Sequence, residues 1–311
     1  MTDFTFRPSN WVPFRDLEVI ERVRGIKKED IIRHSNPDFR IHVMPAADIE
    51  QLWIADMVGR IFDAVNTGEP VVMILPNPCP VYRHVAKLIN RLSIDCHRLY
   101  VFAMDEYANE DGVVAPDTWR YGFQYAMKEY FWSRIDTTLR PPEDQFVGPT
   151  NENLPYYGRL IEDQGGADIC YSGPGWTGHL AFIEPDAPEF VADSLGDWMR
   201  MGTRIVTLSP FTLAQNSLHG SFGVSGDLAA VPPKAATIGP SEVVAAKHRI
   251  DISAITVHGT ATAWQRMICR LCLHGPVTPL LPTSIHQMLR TDSYISDVIA
   301  QDIEPDWSKG Y

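Results

Sequence analysis

The sequence predicts an α/β protein with a mostly parallel, open sheet flanked by helices on both faces, Rossmann-like in plan. Three observations carry this. Short apolar runs such as Val71-Val-Met-Ile-Leu75 and residues 167–171 alternate along the chain with longer amphipathic segments. The runs are continuously apolar, the pattern of strands buried on both faces. Turns rich in glycine or proline follow the runs, and sites in open α/β sheets gather at such strand ends.

Taken in order, residues 1–39 read as an N-terminal extension ahead of a single domain spanning 40–311. In the extension, Leu17, Val19, Ile20, Val23 and Ile26 suggest a short amphipathic helix ending near Lys27-Lys28. Three roles are open to this arm: covering a sheet edge, packing on a neighbouring subunit, or shielding the site. Residues 40–44 read as the first strand. Residues 47–65 read as a helix, with Ile49, Leu52, Trp53, Met57 and Ile61 at three- and four-residue spacing. Strand 71–75 ends in a turn with prolines at 76, 78 and 80, and a helix over 81–91 follows. Strands are expected at 98–104, 167–171 and 202–208. A helical, aromatic-rich stretch is expected over 118–133, and a loop or short helix over 211–218. Residues 235–240 open a segment leading to a strand at 254–258, and a helix is expected from 259 through Cys272.

The chain has 311 residues, 45% hydrophobic and 21% charged, an ordinary globular composition. Its formal charge of −12 argues against a nucleic-acid or anionic-membrane surface. The same charge gives no long-range steering of a phosphorylated substrate. Five scattered cysteines suit reduced thiols in a cytosol, and Cys269-x-x-Cys272 lacks the second pair of a zinc site. The first residues contain no apolar h-region, and no run reaches the ~18 apolar residues of a membrane span. A cytoplasmic protein is expected. Gly173-Pro-Gly175 does not complete a dinucleotide fingerprint and no Walker A sequence occurs, so neither cofactor nor metal is expected.

The most informative stretch is Tyr171-Ser-Gly-Pro-Gly-Trp-Thr-Gly-His179-Leu-Ala-Phe-Ile-Glu184-Pro185. Gly173, Gly175 and Gly178 let backbone turn tightly and approach a ligand. His179 follows them directly, and its side chain suits proton transfer near neutrality. Glu184 is close enough in sequence for a short loop to fold it back onto the imidazole. Asp105-Glu106 ends another expected strand.

Gly178-His-Leu-Ala-Phe-Ile-Glu-Pro185 resembles the Gly-His-Ile-Ala-Phe-Asn-Glu-Pro signature of the glucosamine-6-phosphate deaminase/isomerase family. Met104-Asp-Glu-Tyr107 is similar to a second family motif in the same order, and weaker similarity covers residues from about 40 to 287. The resemblance implies the fold already predicted, of deaminase/isomerase type, and a sugar substrate. An aldose–ketose isomerase must open a sugar ring and move a proton between adjacent carbons; an aminosugar deaminase also expels ammonia from C2. His179 suits ring opening and Asp105 the proton shuttle. The resemblance implies the same roles, with Glu184 orienting His179 and stabilising its charged form. Asn77, Arg83, Glu106, Tyr107, Gly175, Trp176, Thr177, Gly178 and Arg204 become candidate substrate-binding positions, Trp176 and Tyr107 as stacking or core rings. A homo-oligomer is implied as well.

Three departures set this chain apart from the pattern. Thr177 stands where the family has an aspartate, so the relay to His179 loses one carboxylate. Leu75-Pro-Asn-Pro-Cys-Pro80 replaces a glycine-rich phosphate loop, and proline offers no N–H to an anion. Thr262 and Leu218 match a family lysine and a phosphate-binding arginine. Arg83, His84 and Arg204 remain as substitutes. The expected function is therefore ring opening and C1/C2 proton transfer on an aminosugar or related aldose, without the usual 6-phosphate recognition. The alternatives are a glucosamine-6-phosphate deaminase with a rebuilt phosphate site, a lactonase, and a non-catalytic sugar sensor. The Phe182-Ile-Glu184-Pro185 tail and Met104-Asp-Glu-Tyr107 favour the deaminase branch over the lactonase.

Overall fold

The computed structural model describes residues 5–76, 79–254, 256–257, 260–261 and 264–308. Asn77 and Thr262 lie outside the described residues. The chain begins with α1 (Leu17–Arg24), capped by the Asp16 carboxylate accepting from the Val19 N–H. Then come β1 (Phe39–Met44), α2 (Ala46–Thr67), β2 (Val71–Leu75), α3 (Val81–Leu92), β3 (Leu99–Ala103) and β4 (Asp105–Ala108). The middle holds α4 (Phe123–Tyr130), β5 (Phe146–Val147), α5 (Tyr157–Asp163), β6 (Ile169–Ser172), α6 (Leu195–Trp198), β7 (Arg204–Thr207) and α7 (Pro210–Asn216). The last third holds β8 (Lys234–Thr237), α8 (Pro240–Ala245), β9 (Arg249–Ser253), β10 (Thr256–Val257), β11 (Thr260–Ala261), α9 (Gln265–His274) and β12 (Thr291–Ser296).

The main sheet has seven strands in the order β1-β12-β9-β6-β2-β3-β5, all paired in parallel. Helices cover both faces, the α/β architecture expected. Alternation along the strands explains the continuous apolar runs. Met73, Leu75, Ile169, Tyr171, Ile250 and Ile252 pack with α2 and α3, whereas Val72, Ile74 and Cys170 join a second core on the opposite face. A smaller antiparallel sheet, β4-β8-β7, leans over the carboxyl end of β3, and β10 and β11 pair as a short hairpin.

Several local expectations are corrected. The sheet strand expected at 254–258 is instead β9, Arg249–Ser253. Its buried Arg249, Asp251 and Ser253 interrupt the apolar run that periodicity looks for. The helix expected from residue 259 begins as α9 at Gln265, and the one expected over 118–133 shortens to α4, because Trp119 and Gly122 close turns first. The strand expected at 202–208 forms as β7, but in the small antiparallel sheet. β12 escaped notice: Thr-Asp-Ser-Tyr-Ile-Ser looks polar, yet it is enclosed between β1 and β9.

The arm packs on α9. Phe14 and Val23 are buried against Ile268, Leu271 and Leu281, and the Arg22 guanidinium donates to the His274 carbonyl at 2.9 Å. No helix among the described residues is long and apolar enough to cross a membrane.

Candidate active site

The site forms where β6 and the β3–β4 junction end, the edge at which open α/β sheets hold ligands. β6 runs into the loop 173–184. The loop is anchored by three bonds to two carbonyls: the Gly175 N–H and the Thr283 hydroxyl donate to the His179 carbonyl, and the Thr283 N–H donates to that of Gly178, each at 3.0 Å. Gly178 adopts φ +83, which only glycine takes at low cost. Gly175 is required for a different reason: a Cβ there would sit 1.8 Å from the His179 Nε2. Ala181 has φ 52, an uncommon conformation for a residue with a Cβ, inside a tight turn closed by the Ile183 N–H to the Leu180 carbonyl.

The imidazole of His179 is buried, and its two nitrogens have different surroundings. Nδ1 lies 3.2 Å from the Thr177 hydroxyl, 3.0 Å from that of Thr212 and 3.7 Å from Glu184 Oε2. The Thr177 hydroxyl in turn donates to Glu184 Oε2 at 3.4 Å, so it relays between ring and carboxylate. Glu184 Oε1 accepts from the Ser209 N–H at 3.1 Å, where α7 begins. Burial pushes the Glu184 carboxyl up, but the bonds and charge of His179, with Thr212 and the Ser209 N–H, outweigh it and hold the group below its ordinary range. A carboxylate on this side places the ring proton on Nδ1 and leaves Nε2, which bonds no described residue, for chemistry.

Asp105 opens β4 opposite Thr237 of β8. The Thr237 hydroxyl accepts from the Phe182 N–H at 3.1 Å, so the His179 loop and the Asp105 strand are tied through one residue. Asp105 is 6% exposed and its Oδ1 is buried without a hydrogen-bond partner among the described residues. Burial, and after it the neighbouring Glu106, push its carboxyl well above the usual range.

The other candidate positions divide. Trp176 is half-exposed, its ring nearly parallel to that of Trp264 with centroids 6.1 Å apart, and its backbone N–H donates to the Gln215 side-chain oxygen. Glu106 is fully buried and accepts from the N–H groups of Tyr107, Phe123 and Gln124 at 2.8, 3.0 and 2.7 Å, capping α4. Burial pushes it up to about 7 against the pull of those bonds. Tyr107 is a core ring among Trp119, Phe123, Phe182 and Phe222, its hydroxyl donating to Asn216 at 2.8 Å. The Arg204 guanidinium is committed to the carbonyls of Gly202 and Glu189 and lies over Phe190. Arg83 lies on α3 over the Tyr130 ring at 4.6 Å.

Sequence reasoning missed Ser209, Thr212, Thr237, Thr283 and His219. The first two carry a local signal: Ser209 is an N-cap ahead of Pro210, and its side chain accepts from the Thr212 N–H. Thr237 and Thr283 reach the site only through tertiary contacts. His219, just beyond α7, is pressed down to about 4 by burial and then by His179, so it is neutral near pH 7. Among the described residues no group of three His, Cys, Asp or Glu side chains is placed to hold a metal ion.

No family model matches the chain. The chain is 28% identical to a glucosamine-6-phosphate deaminase of Dictyostelium discoideum over 65% of this chain and 69% of that protein. It is 27% identical to one of Caenorhabditis elegans (78% and 82%) and 28% identical to one of Porphyromonas gingivalis (84% and 92%). Among solved structures it is similar to a monomeric glucosamine-6-phosphate deaminase of the NagB superfamily, with TM-score 0.66, 18% identity, and 84% of this chain and 98% of that one covered. It is also similar to 6-phosphogluconolactonase from Leishmania guyanensis, with TM-score 0.57, 13% identity, and 87% and 100% covered. At these identities the structural likenesses establish the fold.

Proposed function

We propose, from the premise that the chain belongs to the glucosamine-6-phosphate deaminase/isomerase family, that it opens the ring of an aminosugar or related aldose and moves a proton between C2 and C1 without the usual recognition of a 6-phosphate. The observation that carries the reading is the pairing of His179 with Thr177 and Glu184, on a loop tied through Thr237 to the strand of a buried carboxyl, Asp105, that has an unpaired oxygen. His179, its own proton held on Nδ1 by Thr177 and Glu184, takes the proton of the C1 hydroxyl at Nε2 and passes it to the ring oxygen. The C1–O bond to the ring breaks as that same proton reaches the ring oxygen, and the open aldose results. Asp105 takes the C2 proton and returns it to C1. Burial pushes its carboxyl upward, so it holds a proton more readily than a solvated carboxyl does, which suits carrying one from C2 to C1. With an amino group on C2, proton return leaves an iminium; water adds, ammonia leaves, and the ketose remains.

The loss of phosphate recognition is supported by what stands in place of cations. Leu218 carries no charge, Arg204 is occupied by backbone carbonyls, and Arg83 lies over an aromatic ring. Charge-assisted bonds are the strong contacts to phosphate, so a neutral site forfeits most of that affinity. The test is a panel of phosphorylated and unphosphorylated aminosugars assayed for ammonia and ketose. An unphosphorylated sugar is expected to exceed glucosamine 6-phosphate in kcat/KM by about tenfold or more. A preference for glucosamine 6-phosphate returns the chain to the ordinary substrate of its relatives, and silence on every sugar ends the reading.

A further inference from the structure

We infer that an apolar pocket behind the His179 loop, walled on one side by the N-terminal arm, binds an uncharged apolar substituent carried by the substrate; the inference rests on the sugar-processing reading above. The pocket has a volume of about 220 Å³. Val12 and Phe14 of the arm form one wall, Trp176 and Thr177 of the loop a second, and Trp264 and Met267 at the start of α9 a third. A cavity of about 150 Å³ with such a lining takes a guest the size of benzene, so this one has room for an aryl ring or a short acyl chain.

Chemistry fixes the class of occupant. No lining side chain is charged, so a phosphate placed here would lose its hydration without gaining a cation. The one hydroxyl in the lining, that of Thr177, is already committed to His179 and Glu184 and leaves the threonine methyl for the pocket. Thr177 therefore links the pocket to the imidazole on its Nδ1 side, and an occupant lies one side chain from the His179 ring. Trp176 remains 40% exposed although its ring is stacked on Trp264, so apolar surface is left open at this point. The arm is fixed in place independently, by Phe14 and Val23 in the core against α9 and by the Arg22 bond to the His274 carbonyl. The wall thus exists before any ligand arrives, as ligand pockets usually do.

The test is calorimetric titration of the full chain with glucosamine, N-benzoylglucosamine and benzyl alcohol, each against wild type and the pocket-filling variants Met267→Trp and Val12→Trp. Wild type is expected to bind the benzoylated sugar at least about tenfold more tightly than glucosamine. The ratio is expected to collapse toward one in whichever filled variant melts like wild type. Benzyl alcohol, which carries no sugar, separates this inference from the proposed reaction: its binding to wild type and loss in the filled variants supports the pocket even if no aminosugar is turned over. Equal affinity for the two sugars, an undiminished ratio in a folded filled variant, or no binding of benzyl alcohol overturns it.

Discussion

Asp105, at the β3–β4 junction, and Glu184, at the end of the His179 loop, are buried to nearly the same depth, 6% and 4% exposed. Their carboxyls are nevertheless pushed in opposite directions. Glu184 meets the His179 imidazole, the Thr177 hydroxyl and the Ser209 N–H, and these outweigh the cost of burial. Asp105 has an oxygen with no donor and another carboxylate, Glu106, next to it. Burial sets the size of the penalty, and the partners decide whether the charge survives it. One carboxylate is suited to holding a neighbour's charge, the other to carrying a proton.

The largest effect that tests this contrast is expected of Asp105→Asn. Turnover should fall by about 10³-fold, measured as ammonia or ketose release. The folded state should become more stable near pH 7 by about 1–3 kcal/mol, since a poorly solvated carboxylate is removed. A folded pKa raised above the unfolded one contributes stability that is full at low pH and is lost as pH rises through the folded value. The variant should lack that loss in a series of thermal melts. An active Asp105→Asn protein would end the contrast as a functional statement.

Gly175→Ala comes next. Its Cβ falls on the His179 ring, so the imidazole must leave its place while Asp105 and Glu184 keep theirs. A loss of about 10²-fold in kcat with near-normal circular dichroism is expected. Unchanged kcat would mean that the ring position is not what the site depends on.

Glu184→Gln should cost about 10-fold in kcat, the imidazolium losing its counter-charge. Its stability effect has the opposite sign to that of Asp105. A depressed folded pKa gives stability that is present above the ordinary value of 4.5 and lost as pH falls through the lower folded value. Acid unfolding of wild type should show this step, and the variant should not.

The smallest effect on turnover is expected of Glu106→Ala. This residue caps α4, so about 2 kcal/mol of stability should go with the bonds to Phe123 and Gln124. The kcat of the folded protein should stay within a few-fold of wild type. A collapse of kcat as deep as that of Asp105→Asn would place Glu106 in the chemistry and merge the two carboxylates into one unit.

The strands that hold this site were legible where they are apolar throughout. Val71–Leu75 and the run before Gly173 announce themselves because both of their faces meet core. β9 and β12 were not legible, since each carries buried polar residues where an apolar run is looked for; in β9, Asp251 accepts from the Ser172 hydroxyl at 2.9 Å. Periodicity detects faces that need hydrocarbon, not faces whose needs are met by a partner far away in sequence. The same limit applied to the site. His179 and Glu184 were visible because they lie five positions apart and glycines precede them, whereas Thr237 and Thr283 are brought in by strand register and by a distant turn.

What the sequence determined alone was the local chemistry: a glycine-loosened loop that must place an imidazole near a carboxylate, and a second acid at a strand end. The tertiary structure decided which neighbours those groups have. It made Glu106 a helix cap, gave Glu184 its donors and left Asp105 Oδ1 without one, and brought residues 12–14 to the same pocket as Thr177. The physical reason is range. Backbone conformation and short-loop geometry depend on adjacent residues, but the solvation and partners of a buried charge depend on every segment that closes over it.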